Sequence, residues 1–141
     1  MCGIAGIFSL IEKKIPQGTI VKMTDTIAHR GPDGEGQWMN LEQTISLGHR
    51  RLSILDLSAN GKQPMHFADN RFTITFNGEI YNYIELKILL ENHGYSFHTK
   101  TDTEVLLAMY HFKGADCLQY LEGMFAFAIW DPKKEQLFLA R

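Results

Sequence analysis

The sequence predicts an α+β protein in which β-sheets are stacked between layers of helices. Apolar segments with strand character lie near both ends of the chain, at residues 4–10 and 124–130. Between them, residues 82–90 and 101–110 carry helix-capping residues followed by helix-spaced apolar side chains. No internal repeat or interdomain linker interrupts this order, and 141 residues suffice for one domain with a buried core.

The N-terminal half is predicted to alternate short strands with one helix. Ile20, Met23 and Ile27 recur at helical spacing and indicate an amphipathic helix. Two glycines around a Pro-Asp pair then predict a turn. The predicted elements are a buried strand at 4–10, the helix at 19–28, the turn at 29–34 and two strands at 37–40 and 44–51.

The C-terminal half is predicted to contain a strand, two helices and a closing hairpin. Strict apolar and polar alternation predicts a strand over residues 72–76, which runs directly into Asn77-Gly78-Glu79. Polar side chains are therefore expected at a strand end. Residues 95–98 are predicted as a short strand, residues near 118–121 as a helical turn, and 124–130 with 136–140 as a hairpin.

Each of the two helices in this half has a candidate N-cap. Asn82 is the candidate for the first helix, which Gly94 is expected to end. Either Thr101 or Asp102 caps the second. The broad apolar face of the first helix is predicted to consist of Ile84, Leu86, Ile88, Leu89 and Leu90.

Composition excludes several classes of function. With 45% hydrophobic residues, 21% charged residues and a net charge of −2, the chain resembles an ordinary globular protein rather than a disordered one. Its positive residues show no clustering typical of nucleic-acid binding. Cys2 and Cys117 are too few for a disulfide framework, and the six histidines lack zinc-ligand spacing, so no metal site is expected. No targeting or membrane-spanning segment is predicted, and a cytoplasmic location fits best.

Cys2 directly follows the initiator methionine, and this placement has a chemical consequence. If Met1 is removed, Cys2 carries both a thiol nucleophile and a free α-amine that can accept the thiol proton. The alternative is a buried edge strand that happens to begin with cysteine. The first eight residues alone favour this second interpretation, so the decision depends on the rest of the chain.

Asn77 and Gly78 are candidates for stabilising a tetrahedral oxyanion. The amide group of Asn77 can donate one hydrogen bond, and Gly78 leaves its backbone N–H accessible because it has no Cβ. Taken alone, Asn-Gly is a common hairpin turn. A predicted helix follows, however, rather than a returning strand, which weakens the turn interpretation.

A substrate with an amino-acid backbone needs a cation for its carboxylate and an anion for its ammonium. Arg51 ends a predicted strand and can hold a carboxylate with two parallel hydrogen bonds, although an ion pair with Asp33 or Asp56 is an alternative. Asp102 and Glu79 can each face an ammonium group. For Asp102, helix capping is an equally good interpretation.

Six motifs, in this order, resemble the glutaminase domain of glutamine-hydrolysing asparagine synthetases. They are MCGIAGIF at 1–8, HRGPDG at 29–34, RLSI at 51–54, QPM at 63–65, NGEIYN at 77–82 and TDTE at 101–104. The segment GMFAFAIWD at 123–131 also resembles that family rather than other N-terminal-nucleophile glutamine amidotransferases. The match spans nearly the whole chain.

The resemblance implies an N-terminal-nucleophile hydrolase fold, a four-layer α-β-β-α sandwich, and hydrolysis of L-glutamine to glutamate and ammonia. By motif, Cys2 matches the nucleophile that forms a γ-glutamyl thioester, and its α-amine matches the base. Asn77 and Gly78 match the oxyanion pair. The substrate-binding positions that match are Arg51, Leu52, Ser53, Ile54, Leu55, Glu79 and Asp102. His29 and Arg30 are assigned a supporting role only.

The resemblance also implies what lies beyond this sequence. Residues 1–141 correspond to a glutamine amidotransferase type 2 domain that is incomplete at its C-terminal end, with the C-terminal synthetase domain absent. No cofactor is expected for the glutaminase domain, whereas ATP and magnesium are expected for the synthetase domain. Missing strands would expose apolar edges, which favour a homodimer or aggregation. The acceptor of the ammonia, aspartate or another carboxylate, is not specified by this sequence.

Two alternatives belong to other classes. The first is a non-catalytic module that binds glutamine or a partner, because of the truncation or because Met1 is retained. The second is a structural zinc module using Cys2, Cys117 and histidines, which the ligand spacing disfavours.

Overall fold

The computed structural model describes residues 2–11, 13–53 and 59–141. Seven strands and three α-helices form in this part of the chain. The strands are β1 Gly3–Phe8, β2 Gly34–Met39, β3 Ile45–Arg51, β4 Met65–Phe67, β5 Phe72–Ile80, β6 Gly123–Asp131 and β7 Gln136–Ala140. The helices are α1 Thr19–Thr26, α2 Tyr83–Glu91 and α3 Asp102–Lys113. Single 3₁₀ segments cover Ala28–Arg30, Ala59–Gly61 and Gly114–Tyr120.

The strands form two antiparallel sheets. The first sheet has the order β1-β3-β2, and the second has the order β4-β5-β6-β7. In the first sheet Gly3 pairs with Arg50, so the beginning of β1 lies beside the end of β3. In the second sheet Asn77 pairs with Ala126. Of the predicted site residues, Arg51 thus lies at the end of β3, and Asn77, Gly78 and Glu79 lie on β5.

The two sheets face each other. Helix α1 packs on the outer side of the first sheet, and α3 packs on the outer side of the second. Helix α2 packs against α3. Between the sheets lie Ile45, Leu47, Ala128 and Trp130, with Phe8, Trp38 and Leu137 packed against them. A larger cluster joins the second sheet to α2 and α3 and includes Phe76, Leu90 and Leu106. The predicted α+β class and the α-β-β-α layering are confirmed. Among the described helices, none is long and apolar enough to cross a membrane.

Strand β5 extends four residues further than the sequence predicts. The expected end at Phe76 is wrong because β6 continues to pair with β5 as far as Ile80 and Gly123. Asn77, Gly78 and Glu79 consequently lie inside a strand rather than after one. The sequence also misses β4, whose three residues are too few to show a period and are defined by their pairing with β5.

The strand predicted over residues 95–98 is wrong. This segment is irregular because its polar backbone groups have another partner: the carboxylate of Glu104 accepts hydrogen bonds from the backbone N–H of His98, at 2.9 Å, and of Thr99, at 2.7 Å. Glu104 itself is buried in the first turn of α3. The loop before α3 is thereby fixed from inside the helix that follows it.

Two predictions for α2 need correction. Asn82 occupies the N-cap position, but its side chain makes no capping bond. It instead donates to the carbonyl of Tyr120 and accepts from the N–H of Glu122, which ties the start of α2 to the segment before β6. The predicted apolar face is also too broad, because Ile84 and Ile88 are 56% and 55% exposed. Leu86 and Leu90 are the buried members of that set.

The C-terminal hairpin agrees with its prediction. Strand β6 is apolar on both faces because Phe127 and Ile129 pack in the cluster with the helices, whereas Ala128 and Trp130 pack between the sheets. The 3₁₀ segment Gly114–Tyr120 is the predicted helical turn, and it buries Cys117.

Candidate active site

A cleft opens where the end of β3 approaches the last part of β5, and it has a volume of about 160 Å³. The predicted site residues that lie in the described ranges all line it. They are Cys2, Arg51, Leu52, Ser53, Asn77, Gly78, Glu79 and Asp102. The predicted residues Ile54 and Leu55, and also Met1, lie outside the described residues.

Cys2 lies immediately before β1 and is partly exposed to the cleft. Its thiol is held by the backbone that follows β3. The Sγ atom lies 3.3 Å from the N–H of Leu52, which donates to it, and 3.5 Å from the carbonyl of Leu52, to which the thiol donates. The pairing of β1 with β3 thus brings the thiol to a donor 50 residues away.

The turn at residues 29–34 fixes this same backbone. A Cβ at Gly31 would lie 2.2 Å from the carbonyl carbon of Arg50, so only glycine permits the turn to pack on the end of β3. Asp33 then donates its N–H to the carbonyl of Arg51, at 2.9 Å, and its carboxylate accepts the N–H of Ser53, at 2.8 Å. The supporting residue in this motif is therefore Asp33, since it braces the segment that contacts the thiol. His29 and Arg30 lie in the preceding 3₁₀ segment.

Asn77 and Gly78 do not form a hairpin turn. They pair with Ala126 and Phe125 of β6, so the turn interpretation is wrong. A Cβ at Gly78 would lie 2.3 Å from the carbonyl oxygen of Met124, which explains the need for glycine there. The side-chain oxygen of Asn77 is buried and has no hydrogen-bond partner among the described residues. Such an unpaired buried group is uncommon and calls for an explanation.

Asp102 lies at the beginning of α3 and faces the end of β5. The cap of this helix is Thr101, whose hydroxyl accepts the N–H of Glu104, so the alternative in which Asp102 provides the cap is wrong. One carboxylate oxygen of Asp102 accepts the N–H of Ile80 at 3.0 Å. Burial raises the pKa of Asp102, and the negative charge of the nearby Glu79 raises it further. A cation bound in the cleft would reverse both effects.

Seven lining residues had no predicted site role, namely His49, Gly61, Gln63, Phe76, Thr101, Thr103 and Met124. His49 is 1% exposed, and its Nε2 donates to the carbonyl of Phe76 at 3.2 Å. Burial lowers the pKa of His49 to about 4, against the opposing effect of that hydrogen bond, and the charge of Arg51 lowers it further. Alternation along β3 from Leu47 could have placed His49 on the inward face. Gln63 and Thr103 lie in the motifs at 63–65 and 101–104, which could have pointed to them.

Cys117 contributes nothing to the cleft. It is fully buried in the apolar cluster beside α3. Burial raises the pKa of its thiol to about 11, with a smaller contribution from Asp116, which makes it a poor nucleophile. Within the described ranges, no group of three or more His, Cys, Asp and Glu side chains is arranged to hold a metal ion.

The cleft combines four kinds of group. It has a thiol, a side-chain amide beside an accessible backbone N–H, a guanidinium and a buried carboxylate, from Cys2, Asn77 with Gly78, Arg51 and Asp102. A nucleophile next to hydrogen-bond donors suits acyl transfer. Opposite charges beside them suit a substrate that carries both a carboxylate and an ammonium.

Comparison with known proteins agrees with this chemistry. The family model described as "Glutamine amidotransferase domain" matches residues 1–141. Asparagine synthetase [glutamine-hydrolyzing] 1 of Bacillus subtilis is 44% identical over 144 residues, which cover 100% of this chain and 22% of that protein. A putative asparagine synthetase [glutamine-hydrolyzing] 2 of Methanocaldococcus jannaschii is 43% identical over 157 residues, covering 100% of this chain and 30% of that protein. The chain thus spans less than a third of the length of these relatives.

The fold also has a solved counterpart. The glutamine PRPP amidotransferase of B. subtilis, in complex with ADP and GMP, superposes with a TM-score of 0.75 at 24% identity. The match covers 97% of this chain and 36% of that one. With the α-β-β-α layering, it confirms the predicted N-terminal-nucleophile hydrolase fold. The relatives confirm the resemblance to the glutaminase domain of asparagine synthetases.

Proposed function

Because the chain belongs to the glutamine amidotransferase domain family, we propose that it hydrolyses the side-chain amide of L-glutamine, with Cys2 as the nucleophile. The observation that carries this proposal is the single cleft shared by Cys2, Arg51, Asn77 and Asp102. These residues come from two sheets and one helix. An apolar strand that begins with a chance cysteine gives no reason for their meeting.

Glutamine binds through both of its charged backbone groups. The guanidinium of Arg51 holds the α-carboxylate with two hydrogen bonds, and the carboxylate of Asp102 faces the α-ammonium. Glu79 adds a second negative charge on the same side of the cleft, and Leu52 and Ser53 line the pocket. This arrangement directs the side-chain amide of glutamine towards the sulfur of Cys2.

The reaction proceeds through a covalent thioester. The α-amine of Cys2 accepts the thiol proton, and the sulfur bonds to the amide carbon, whose carbonyl electron pair moves to oxygen. The carbonyl re-forms as the C–N bond breaks, and the α-ammonium gives its proton to the leaving nitrogen, which departs as ammonia. Water then adds to the thioester and gives a proton to the α-amine. The C–S bond breaks, glutamate leaves and the thiolate regains its proton.

Asn77 and Gly78 stabilise both tetrahedral intermediates. The side-chain amide of Asn77 and the backbone N–H of Gly78 donate to the oxyanion. The side chain of Asn77 lines the same cleft as the thiol of Cys2, which supports this role.

Removal of Met1 is a condition of the mechanism. When Met1 is retained, the nitrogen of Cys2 belongs to a peptide bond and has no lone pair with which to accept a proton. The same fold then binds glutamine without hydrolysing it, which is the non-catalytic alternative.

The remainder of the protein is expected to use the ammonia. Since the two relatives are named asparagine synthetases, we include in the proposal a synthetase domain that amidates a carboxylate, with aspartate as the first candidate. That domain would account for any requirement for ATP and magnesium. A cytoplasmic location, inferred from cysteine usage, completes the proposal.

The test combines intact mass with active-site labelling of the native full-length protein. Loss of one methionine, glutamine hydrolysis, and modification of Cys2 by a glutamine-like diazoketone are the expected results. Cys2→Ala should abolish hydrolysis, whereas the matched variant Cys117→Ala should retain it, because Cys117 lies outside the cleft. Retention of Met1 in cells, or equal loss in both variants, would contradict the proposal.

A further inference from the structure

The backbone N–H and carbonyl of Phe76 bond to two side chains, while β6 pairs with the same part of β5. The N–H of Phe76 donates to the side-chain oxygen of Gln63 at 2.6 Å. The carbonyl of Phe76 accepts from Nε2 of His49 at 3.2 Å. That carbonyl belongs to the peptide bond that begins Asn77. Two buried side chains therefore fix the backbone immediately before the oxyanion pair.

These two hydrogen bonds form because β4 does not extend far enough towards its N-terminal side to pair with Phe76. Its register pairs Met65 with Ile74, so two more residues of strand would place the backbone of Gln63 opposite Phe76. The strand instead begins only at Met65, after Pro64. The side chain of Gln63, rather than its backbone, therefore contacts Phe76. The carbonyl of Gln63 packs instead on Gly36 of β2, where a Cβ would lie 2.1 Å away.

The network has a defined direction of donation. The amide nitrogen of Gln63 donates to the hydroxyl of Thr103 at 3.3 Å, which leaves its oxygen for the N–H of Phe76. His49 donates through Nε2 because a carbonyl only accepts. Thr103 lies next to Asp102 on α3, and His49 lies two residues before Arg51 on β3. The network thus joins both charged ends of the cleft to the strand that carries Asn77.

We propose that His49 and Gln63 are positioning residues that orient the Phe76–Asn77 peptide and thereby aim the oxyanion donors of Asn77 and Gly78 at the substrate. This inference rests on the proposed glutaminase function. Neither side chain is assigned a contact with glutamine. Both act through the backbone, and their effect belongs to the tetrahedral state rather than to glutamine binding.

Turnover of the native full-length protein gives the first test. His49→Leu removes the donor, and Gln63→Met removes both polar ends of that side chain at similar length. Each should lower kcat on the order of 10- to 100-fold, the scale of a misplaced catalytic group, and leave KM for glutamine nearly unchanged. His49→Gln, whose amide nitrogen can reach the position of Nε2, should restore most of the lost turnover.

Thr75→Val is the matched control. The hydroxyl of Thr75 donates to the carbonyl of Gly48 at 3.0 Å, so it links the same two strands as His49 does but leaves the Phe76–Asn77 peptide alone. This variant should lose stability like the others and keep its kcat. An equal fall in kcat for Thr75→Val would assign the effect to general packing of the sheets and overturn the inference.

A binding measurement separates this inference from the proposed function. Glutamate γ-semialdehyde forms a tetrahedral thiohemiacetal with a thiol, whereas glutamate binds without one. The aldehyde should bind His49→Leu or Gln63→Met at least about tenfold more weakly than it binds the wild type, with glutamate affinity unchanged. Wild-type protein that neither hydrolyses glutamine nor binds the aldehyde would overturn both proposals. Wild-type activity with undiminished kcat and aldehyde binding in both variants would overturn the positioning role alone.

Discussion

Acidification should destabilise the fold through His49. The unfolded imidazole has a pKa of 6.5 and the folded one a pKa of about 4. At pH 5 the unfolded group is about 97% protonated and the folded group about 9%. The unfolded state therefore binds more protons between these two pKa values. The stability that neutral His49 contributes is complete above pH 6.5 and is lost as the pH falls towards 4.

The magnitude follows from the same two pKa values. Between pH 7.5 and pH 5, the loss assigned to His49 is about 2 kcal/mol of unfolding free energy. Solvent does not screen this free-energy difference appreciably, because the side chain of His49 is 1% exposed. His49→Gln is the appropriate reference, since an amide can keep the hydrogen bond to Phe76 and does not titrate.

The assay is denaturant unfolding of the wild type and of His49→Gln at both pH values. The difference between pH 7.5 and pH 5 should be about 2 kcal/mol smaller in the variant. Asp102 acts in the opposite sense, because its raised pKa makes the folded state bind the extra proton. Its contribution is common to both proteins and cancels. Identical pH dependence in the two proteins would refute the assignment to His49.

Three further predictions concern the cleft. Asn77→Ala should lower kcat by roughly a hundredfold or more with little change in KM, measured as ammonia release, because one oxyanion donor is lost. Arg51→Lys should chiefly raise KM for glutamine, since an ammonium cannot make the two parallel hydrogen bonds, and an unchanged KM would contradict carboxylate binding. Gly78→Ala should lower the unfolding midpoint as well as activity, because its Cβ would lie 2.3 Å from the carbonyl oxygen of Met124. A fully stable, active alanine variant would show that β6 can yield there.

Sequence patterns predicted the elements whose side chains repeat along a buried face. Helix α1 follows from such a period, and the hairpin of β6 and β7 follows from an apolar segment and the turn residues after it. The strand predicted at 95–98 is wrong because the N–H groups of His98 and Thr99 are bound by the carboxylate of Glu104, a contact that leaves no periodic signal in the sequence. The prediction that Ile84 and Ile88 lie on a buried face is wrong for a related reason. The period shows which residues share a face of the helix, but it does not show how much of that face the neighbouring elements cover.

Many of the residues that line the candidate site could be predicted from the sequence, but the hydrogen bonds that hold its backbone in place could not. Chemistry and motif identified Cys2, Asn77 and Asp102 before their positions were known. Their roles in catalysis stay predictions. The QPM motif contains Gln63, but its contact with Phe76 could not be predicted, because it depends on where β4 begins, and that is decided by pairing across the sheet. The choice between Thr101 and Asp102 as the cap likewise required knowing that the N–H of Ile80 approaches Asp102.

The cleft is divided between the two sheets. Arg51 ends β3 of the first sheet and Cys2 directly precedes β1 of that sheet, while Asn77 and Gly78 belong to the second sheet. What sets the spacing of these two halves is the apolar filling between the sheets, including Leu47 and Trp130. The packed residues between the sheets therefore set the distance between the two halves of the cleft as well as contributing to stability. Substitutions that make these buried side chains larger or smaller should alter turnover without changing any residue of the cleft. Selection for catalysis should therefore also act on residues that do not contact the substrate.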